Sequence, residues 1–201
     1  MPRTPSTTKS ATMYGAVLIA TGVAVFAIRL IHAGPYAIPI GTNLFAALGS
    51  LVLGSVILWA DAPRLVRKGA FVLSPVALFF GLYSTFAEFE EVVSLYATDS
   101  AGRPAELRLW IVDREDGEWV GMSRAKAIEY SLNGRRIEML RNGEKRCIVP
   151  VLHDDIETIR DIHSRKVGKY KVAQWAAMVG IYSREGNPAG AALHLTPCPA
   201  E

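Results

Sequence analysis

Three apolar segments near the start of the chain limit its fold more than any other feature. Residues 13–31 are apolar except for Arg29, and residues 43–60 and 70–87 carry no charge. A helix rises about 1.5 Å per residue, so each segment is nearly as long as the roughly 30 Å hydrocarbon core of a bilayer. The sequence therefore predicts an α-helical membrane anchor over residues 1–87, with two to three transmembrane helices.

Two of these segments have a second interpretation. Residues 70–87 contain Pro75, which a membrane-spanning helix tolerates as a kink, and the alternative is a re-entrant or interfacial helix. The first segment follows Arg3 and Lys9, as in a signal peptide. Its apolar run is longer than the apolar core of about 7–15 residues in such peptides, which favours an anchor.

Small residues recur every four positions on two segments, and such faces let helices approach closely in lipid. They are Ala16, Ala20 and Ala24 on the first segment and Ala46, Ser50 and Gly54 on the second. None of the segments has an acidic residue or a histidine near its middle. Because transporters and proton channels need polar groups at that depth, neither class is expected.

The distribution of charge separates the two halves of the chain. Residues 1–87 hold six basic and one acidic residue, a net of +5, whereas residues 88–201 hold 16 basic and 18 acidic residues, a net of −2. Nucleic-acid binding needs a concentrated positive face, so nucleic acid is not an expected partner of the second half. The lipid membrane is the partner that the first half predicts.

Residues 88–201 are expected to form a separate, mostly antiparallel α+β domain. Apolar and polar residues alternate over residues 105–113, as in a strand, and Asn142-Gly143 is a strong hairpin signal. The predicted order of elements is β-β-β-α-β-β-α-α-β, with helices opened by Ser123 and Asp154. Six short strands joined largely by hairpins favour a closed or split barrel, because closure removes exposed edges.

The two cysteines, Cys147 and Cys198, are 51 residues apart and belong to no CxxC motif. Their spacing fits no disulfide framework, so two unrelated free thiols are expected, with a single disulfide as the alternative. The four histidines share no metal-ligand spacing, and no metal site is predicted.

A family resemblance covers about residues 91–197. The runs GRPAELRLWIVD, GEWVGM and RAKAIEYSLNGRRIEMLRNGEKRCIVPV, then HSRKVGKYKVA and ALHLTP, are similar to the flavin-type split barrel of the pyridoxamine-phosphate-oxidase-like superfamily. Within it, the chain resembles small bacterial proteins related to deazaflavin-dependent nitroreductases. The resemblance implies a homodimer that binds FMN or the deazaflavin F420, and hence an oxidoreductase.

The resemblance also implies a phosphate site on the second and third strands and the helix that follows. The matching residues are Arg108, Ser123, Arg124 and Lys126, which are predicted to converge on one anionic group. Trp110 shares a strand face with Arg108 by two-residue alternation and is predicted to flank the flat ring of the cofactor.

Two positions depart from the family pattern. Asn133-Gly134 stands where an Asn-Pro pair is usual, and Gly121-Met122 replaces an arginine that is common on the third strand. The alternative function is therefore a cofactor-free, membrane-anchored structural or interaction module, since fold alone does not choose between the two.

The location of residues 88–201 follows from the basic residues around the first two segments. Arg3 and Lys9 precede the first segment, and Arg64, Arg67 and Lys68 follow the second. The positive-inside rule places both groups in the cytoplasm, so three spans would put the second domain on the non-cytoplasmic side. The cytosolic abundance of flavins and deazaflavins argues for the opposite orientation.

Overall fold

A computed structural model describes residues 5–32, 41–183 and 185–199. The chain divides into two compact units, Met1–Phe89 and Glu90–Glu201. Each unit has its own buried residues.

The described residues of the first unit form three helices, α1 (Pro5–Leu30), α2 (Thr42–Leu58) and α3 (Arg64–Ala87). By length and composition alone, 22 residues of α1 and all 24 of α3 suffice to cross a membrane, whereas α2 has 17 residues. The basic residue Arg3 and residues 33–40, which connect the first two helices, lie outside the described part of the chain.

Helices α1 and α2 approach each other most closely through glycines. A methyl group added at Gly54 would lie 2.8 Å from the carbonyl oxygen of Gly15, so only glycine fits there. The small face predicted for α2 is confirmed, because Ala46, Ser50 and Gly54 are all buried. The face predicted for α1 is wrong, since Ala16 and Ala20 are exposed. Glycine, lacking Cβ, permits a closer backbone approach than alanine.

The second unit is a closed, antiparallel barrel of six strands in the spatial order β1-β2-β3-β6-β5-β4. The predicted order of strands and helices and the α+β barrel are thereby confirmed. The strands are β1 (Val92–Thr98), β2 (Pro104–Arg114), β3 (Gly117–Ser123), β4 (Ile137–Arg141), β5 (Glu144–His153) and β6 (Gly190–Pro197). The helices are α4 (Arg124–Glu129), α5 (Ile156–Lys169) and α6 (Lys171–Met178).

Local chemistry explains where these elements start and turn. Asn142 and Gly143 have φ angles of 52° and 84°, the left-handed pair that a two-residue hairpin loop needs. The Ser123 hydroxyl accepts a hydrogen bond from the Lys126 amide at 3.3 Å and caps α4, as predicted. Helix α5 is capped one residue later than predicted, because Asp155 rather than Asp154 accepts from the Thr158 amide, at 2.8 Å.

The barrel has one core inside and another beneath its helices. Leu107 and Ile111 lie four residues apart on the inward-facing side of β2, and both side chains are fully buried. Outside the barrel, α5 and α6 cover a second cluster that includes Trp119, Ile162 and Tyr170. The Tyr170 hydroxyl accepts from the Ile111 amide and donates to the Glu91 carbonyl oxygen, both at 2.9 Å, which joins the helices to the strands.

Cys147 and Cys198 form a disulfide, so the prediction of two free thiols is wrong. Their Cα atoms are 5.4 Å apart. Strands β5 and β6 are neighbours, and Ile148 pairs with Pro197, the residues next to the two cysteines. The long sequence separation hides this proximity, because it arises only when the barrel closes.

Candidate functional site

The best candidate site begins where β2 and β3 separate. Their described pairing runs from Ile111 and Val120 to Arg114 and Gly117. Beyond it, β2 continues along β1, whereas Gly121 and the residues after it pair with β6. The outer face of this end of β3 and β6 is therefore available to α5 and the segment that follows α6.

A cavity of about 550 Å³ lies between that face, α5 and residues 181–183 and 186–190. Its apolar wall includes Ile159, Ile162 and Ile181, and its polar groups include Ser123, His163 and Lys166. Binding sites for small molecules are concave spaces of about 300–1,000 Å³ with apolar walls and few polar groups. The cavity therefore has the size and lining of a small-molecule site.

Lys166 is the distinctive group in this cavity. Only 9% of the residue is exposed. Its ammonium has no hydrogen-bond or ion-pair partner among the described residues. Burial lowers the pKa of Lys166 to about 8, because a charged amine loses hydration in an apolar wall. An anionic ligand group in the cavity would supply the missing counter-charge.

Gly121 makes room for the Lys166 side chain. A methyl group added at Gly121 would lie 2.9 Å from Nζ of Lys166 and 3.3 Å from its Cε. The lysine stem therefore crosses β3 directly over this glycine. Its role in the structure is to leave space for a cation that comes from α5.

His163 holds the segment beside the cavity. Its Nε2 is hydrogen-bonded to the carbonyl oxygen of Ser183, and its ring stacks on Tyr182 with centroids 4.7 Å apart. Because a carbonyl oxygen only accepts, Nε2 carries the proton. Burial, and then the charge of Lys166, lower the pKa of His163. The lowered pKa favours the neutral imidazole, so Lys166 is the cationic side chain among the described residues that line the cavity.

The five residues predicted to bind a cofactor fall into two groups. Ser123 lines the cavity and caps α4. Arg124 follows it, with a guanidinium nitrogen 3.3 Å from the carboxylate of Asp154. Lys126 is exposed on α4. Of the five residues, only Ser123 is among the described residues that line the cavity.

Arg108 and Trp110 lie on the outer face of β2. A guanidinium nitrogen of Arg108 is 3.3 Å from the Ser94 hydroxyl and 3.4 Å from the Glu106 carboxylate. Trp110 stacks on Tyr170, with ring centroids 5.0 Å apart. Both side chains thus have protein partners, and their convergence with Ser123, Arg124 and Lys126 on one ligand stays a prediction.

The prediction of the site from the sequence missed Lys166 and His163. One signal was present, because the buried stripe of α5 is Ile159, Ile162 and Lys166, at spacings of three and four. A lysine in the apolar stripe of a helix either extends its ammonium to solvent or is buried. Lys166 is buried because Gly121 leaves space for its side chain.

Comparison with known proteins gives little further information. No family model and no curated protein matches the chain. Similar solved structures include HutZ, described as a heme storage protein of Vibrio cholerae, with 13% identity, a TM-score of 0.40, and coverage of 57% of this chain and 87% of HutZ. ChuZ of Campylobacter jejuni has 11% identity, a TM-score of 0.36, and coverage of 68% and 63%. Both TM-scores are below 0.5, and neither likeness bears on the function of this chain.

Proposed function

We propose that the chain is a membrane-anchored binding protein whose barrel holds a small anionic ligand beside Lys166. The observation that carries this proposal is Lys166, a residue only 9% exposed, whose ammonium has no described partner and lies on the wall of a cavity of about 550 Å³. A buried charge is costly unless it is paired, so a protein keeps one where a partner arrives. The partner proposed is a phosphate or carboxylate of the ligand.

The ligand proposed is FMN or F420, which makes the protein a flavin- or deazaflavin-dependent oxidoreductase of the nitroreductase type. Either cofactor combines phosphate with a flat ring system, and the cavity combines Lys166 with an isoleucine wall. The cofactor would supply hydride transfer. The residues of the chain would bind and orient the cofactor. The ammonium of Lys166 would pair with the phosphate, and the hydroxyl of Ser123 would donate a hydrogen bond to it. A homodimer through the barrel stays a prediction.

The second candidate is a cofactor-free structural or interaction module. It is favoured by the two arginines predicted to bind phosphate, which already lie near carboxylates. Arg108 is 3.4 Å from Glu106, and Arg124 is 3.3 Å from Asp154. Cations in such pairs are less available to a ligand than Lys166.

Membrane anchoring is supported by the surface of the first unit. Many of its large apolar side chains are exposed, among them Leu65 and Val72, which are 83% and 75% exposed. A helix with apolar residues exposed along its length is stable in lipid rather than in water. The disulfide supports a non-cytoplasmic position for the barrel, as the positive-inside rule does, since disulfides persist in oxidising compartments.

The cofactor proposal predicts that replacing Lys166 with methionine weakens FMN or F420 binding by about 10- to 100-fold, because a hydrogen bond to a charged group contributes about 1.5–3 kcal/mol. The full chain in detergent is titrated with each cofactor, with hemin as a third anionic ligand, and binding is followed by calorimetry.

The matched control is Arg160→Met, which removes an exposed cation of α5 that is not among the described residues lining the cavity. Its affinity should equal that of the unmodified chain. If none of the three ligands binds, the cofactor proposal is wrong and the interaction module is favoured. If hemin alone binds tightly, the proposed anion site is retained, and heme takes the place of FMN or F420 as the proposed ligand.

A further inference from the structure

Helix α6 has an apolar face that the barrel does not cover. Trp175, Met178 and Val179 share one side of this region, and Met178 and Val179 are 67% and 59% exposed. Ile181 follows them and is also exposed. The opposite side of the helix, which includes Ala173 and Ala176, is fully buried. We name the four exposed residues, Trp175, Met178, Val179 and Ile181, the α6 ridge.

The start of α6 is fixed at the point where the barrel unit begins. The amide of Val172 donates to the carboxylate of Glu90 at 3.0 Å. The neighbouring Tyr170 hydroxyl donates to the Glu91 carbonyl oxygen at 2.9 Å. Helix α6 has eight residues, a length of about 12 Å. The α6 ridge is therefore held within about two helical turns of the first residue of the barrel unit.

The chain reaches Glu90 directly from α3. Only three peptide units separate Ala87, the last residue of α3, from Glu90, a span of at most about 11 Å when extended. A membrane-spanning α3 ends at the interface, where each headgroup layer is about 5–7 Å thick. The covalent connection is therefore short enough for the α6 ridge to reach that interface.

The chemistry of the α6 ridge matches that surface. Tryptophan suits the headgroup layer because its ring is apolar and its N–H is polar. Lys171 is exposed one turn before Trp175, at the spacing that places both residues on one face of the helix. A cation beside an apolar ridge favours a lipid surface with phosphate headgroups over the apolar interface of a second protein copy.

We propose that the α6 ridge inserts into the headgroup layer of the membrane that holds the first unit. This inference rests on the membrane anchoring proposed above and is independent of the cofactor. Ile181 belongs both to the α6 ridge and to the cavity wall. Insertion therefore brings one wall of the cavity to the lipid surface, where a ligand dissolved in the interface can enter.

The test uses the emission of Trp175 in vesicles that contain brominated lipid, which quenches tryptophan in the membrane. The full chain and its Trp175→Phe variant are reconstituted in phosphatidylcholine vesicles with and without bromine. Subtracting the emission of the variant from that of the full chain gives the emission of Trp175 alone, without that of Trp59, Trp110 and Trp119. Most of this Trp175 emission should be quenched in the brominated vesicles.

The matched control places a tryptophan at exposed Ala101 in the Trp175→Phe background. Ala101 lies beyond the far end of β1, a strand of seven residues that spans about 23 Å. The emission of the tryptophan introduced at position 101 should not be quenched. Unquenched Trp175, or equal quenching at both positions, would overturn the inference. Loss of the protein from vesicles on a carbonate wash would instead refute anchoring itself, and the inference with it.

Discussion

Replacing Lys166 with methionine is expected to raise the free energy of unfolding near pH 7 by about 3 kcal/mol, since each unit of pKa shift corresponds to about 1.4 kcal/mol. Burial lowers the pKa of this lysine from 10.5 to about 8 in the folded chain. Methionine fills the same space over Gly121 without a charge. The variant should therefore gain stability as it loses ligand affinity.

The pH dependence of this effect has a definite sign. The unfolded chain binds the Lys166 proton more tightly than the folded chain, so the penalty is complete below the folded pKa of about 8. It decreases as the pH rises from about 8 to 10.5, and the advantage of the variant should shrink over the same range. Thermal unfolding of the full chain in detergent, at pH values in and below this range, measures the difference.

Arg160→Met is the control for this experiment, because Arg160 is exposed on the same helix and its replacement should leave the free energy of unfolding nearly unchanged. If Lys166→Met lowered the stability near pH 7, Lys166 would have a structural role. That outcome would remove the main support for an anion site.

Replacing both Cys147 and Cys198 with serine is expected to lower the free energy of unfolding of the barrel by about 2–4 kcal/mol, since a disulfide limits the conformations of the unfolded chain. The residues are separated by 51 positions, so the closed loop is long. The bond fastens the chain after β6 to β5, where the Cys198 amide also donates to the Cys147 carbonyl oxygen at 3.2 Å.

Denaturation of the full chain, followed by fluorescence of the buried Trp119, measures this loss. A reducing agent should lower the stability of the unmodified chain and leave the double serine variant unchanged. If the unmodified chain, the reduced unmodified chain and the double serine variant were equally stable, the disulfide would not stabilise the barrel.

The order of strands was predictable because its signals are local. The strand predicted at residues 105–113 and the Asn142-Gly143 turn depend on neighbouring residues, and both are confirmed, although burial along β2 does not alternate because both of its faces are partly covered. Helix α5 continues through Gly168 to Lys169, although a glycine inside a helix costs about 1 kcal/mol relative to alanine. Tertiary packing of Ile162 and Tyr170 outweighs that local cost.

The cavity was not predictable because its parts come together only in the folded barrel. Lys166 and Gly121 are far apart in sequence, and the lysine is buried because a glycine on β3 and small residues on β6 leave space under α5. The disulfide was missed for the same reason, since only the pairing of β5 with β6 shows that Cys147 and Cys198 are close. Sequence spacing carries no record of either contact.

The most direct test of the anion site is the pKa of Lys166, measured by NMR of the full chain with isotope-labelled lysine side chains. The Lys166 signal is identified as the one missing from the Lys166→Met variant. The site as proposed predicts a pKa of about 8 without ligand and a higher value once FMN or F420 is bound, because an anion stabilises the ammonium. A pKa near 10.5 that is the same with and without either cofactor would contradict the proposed role of Lys166.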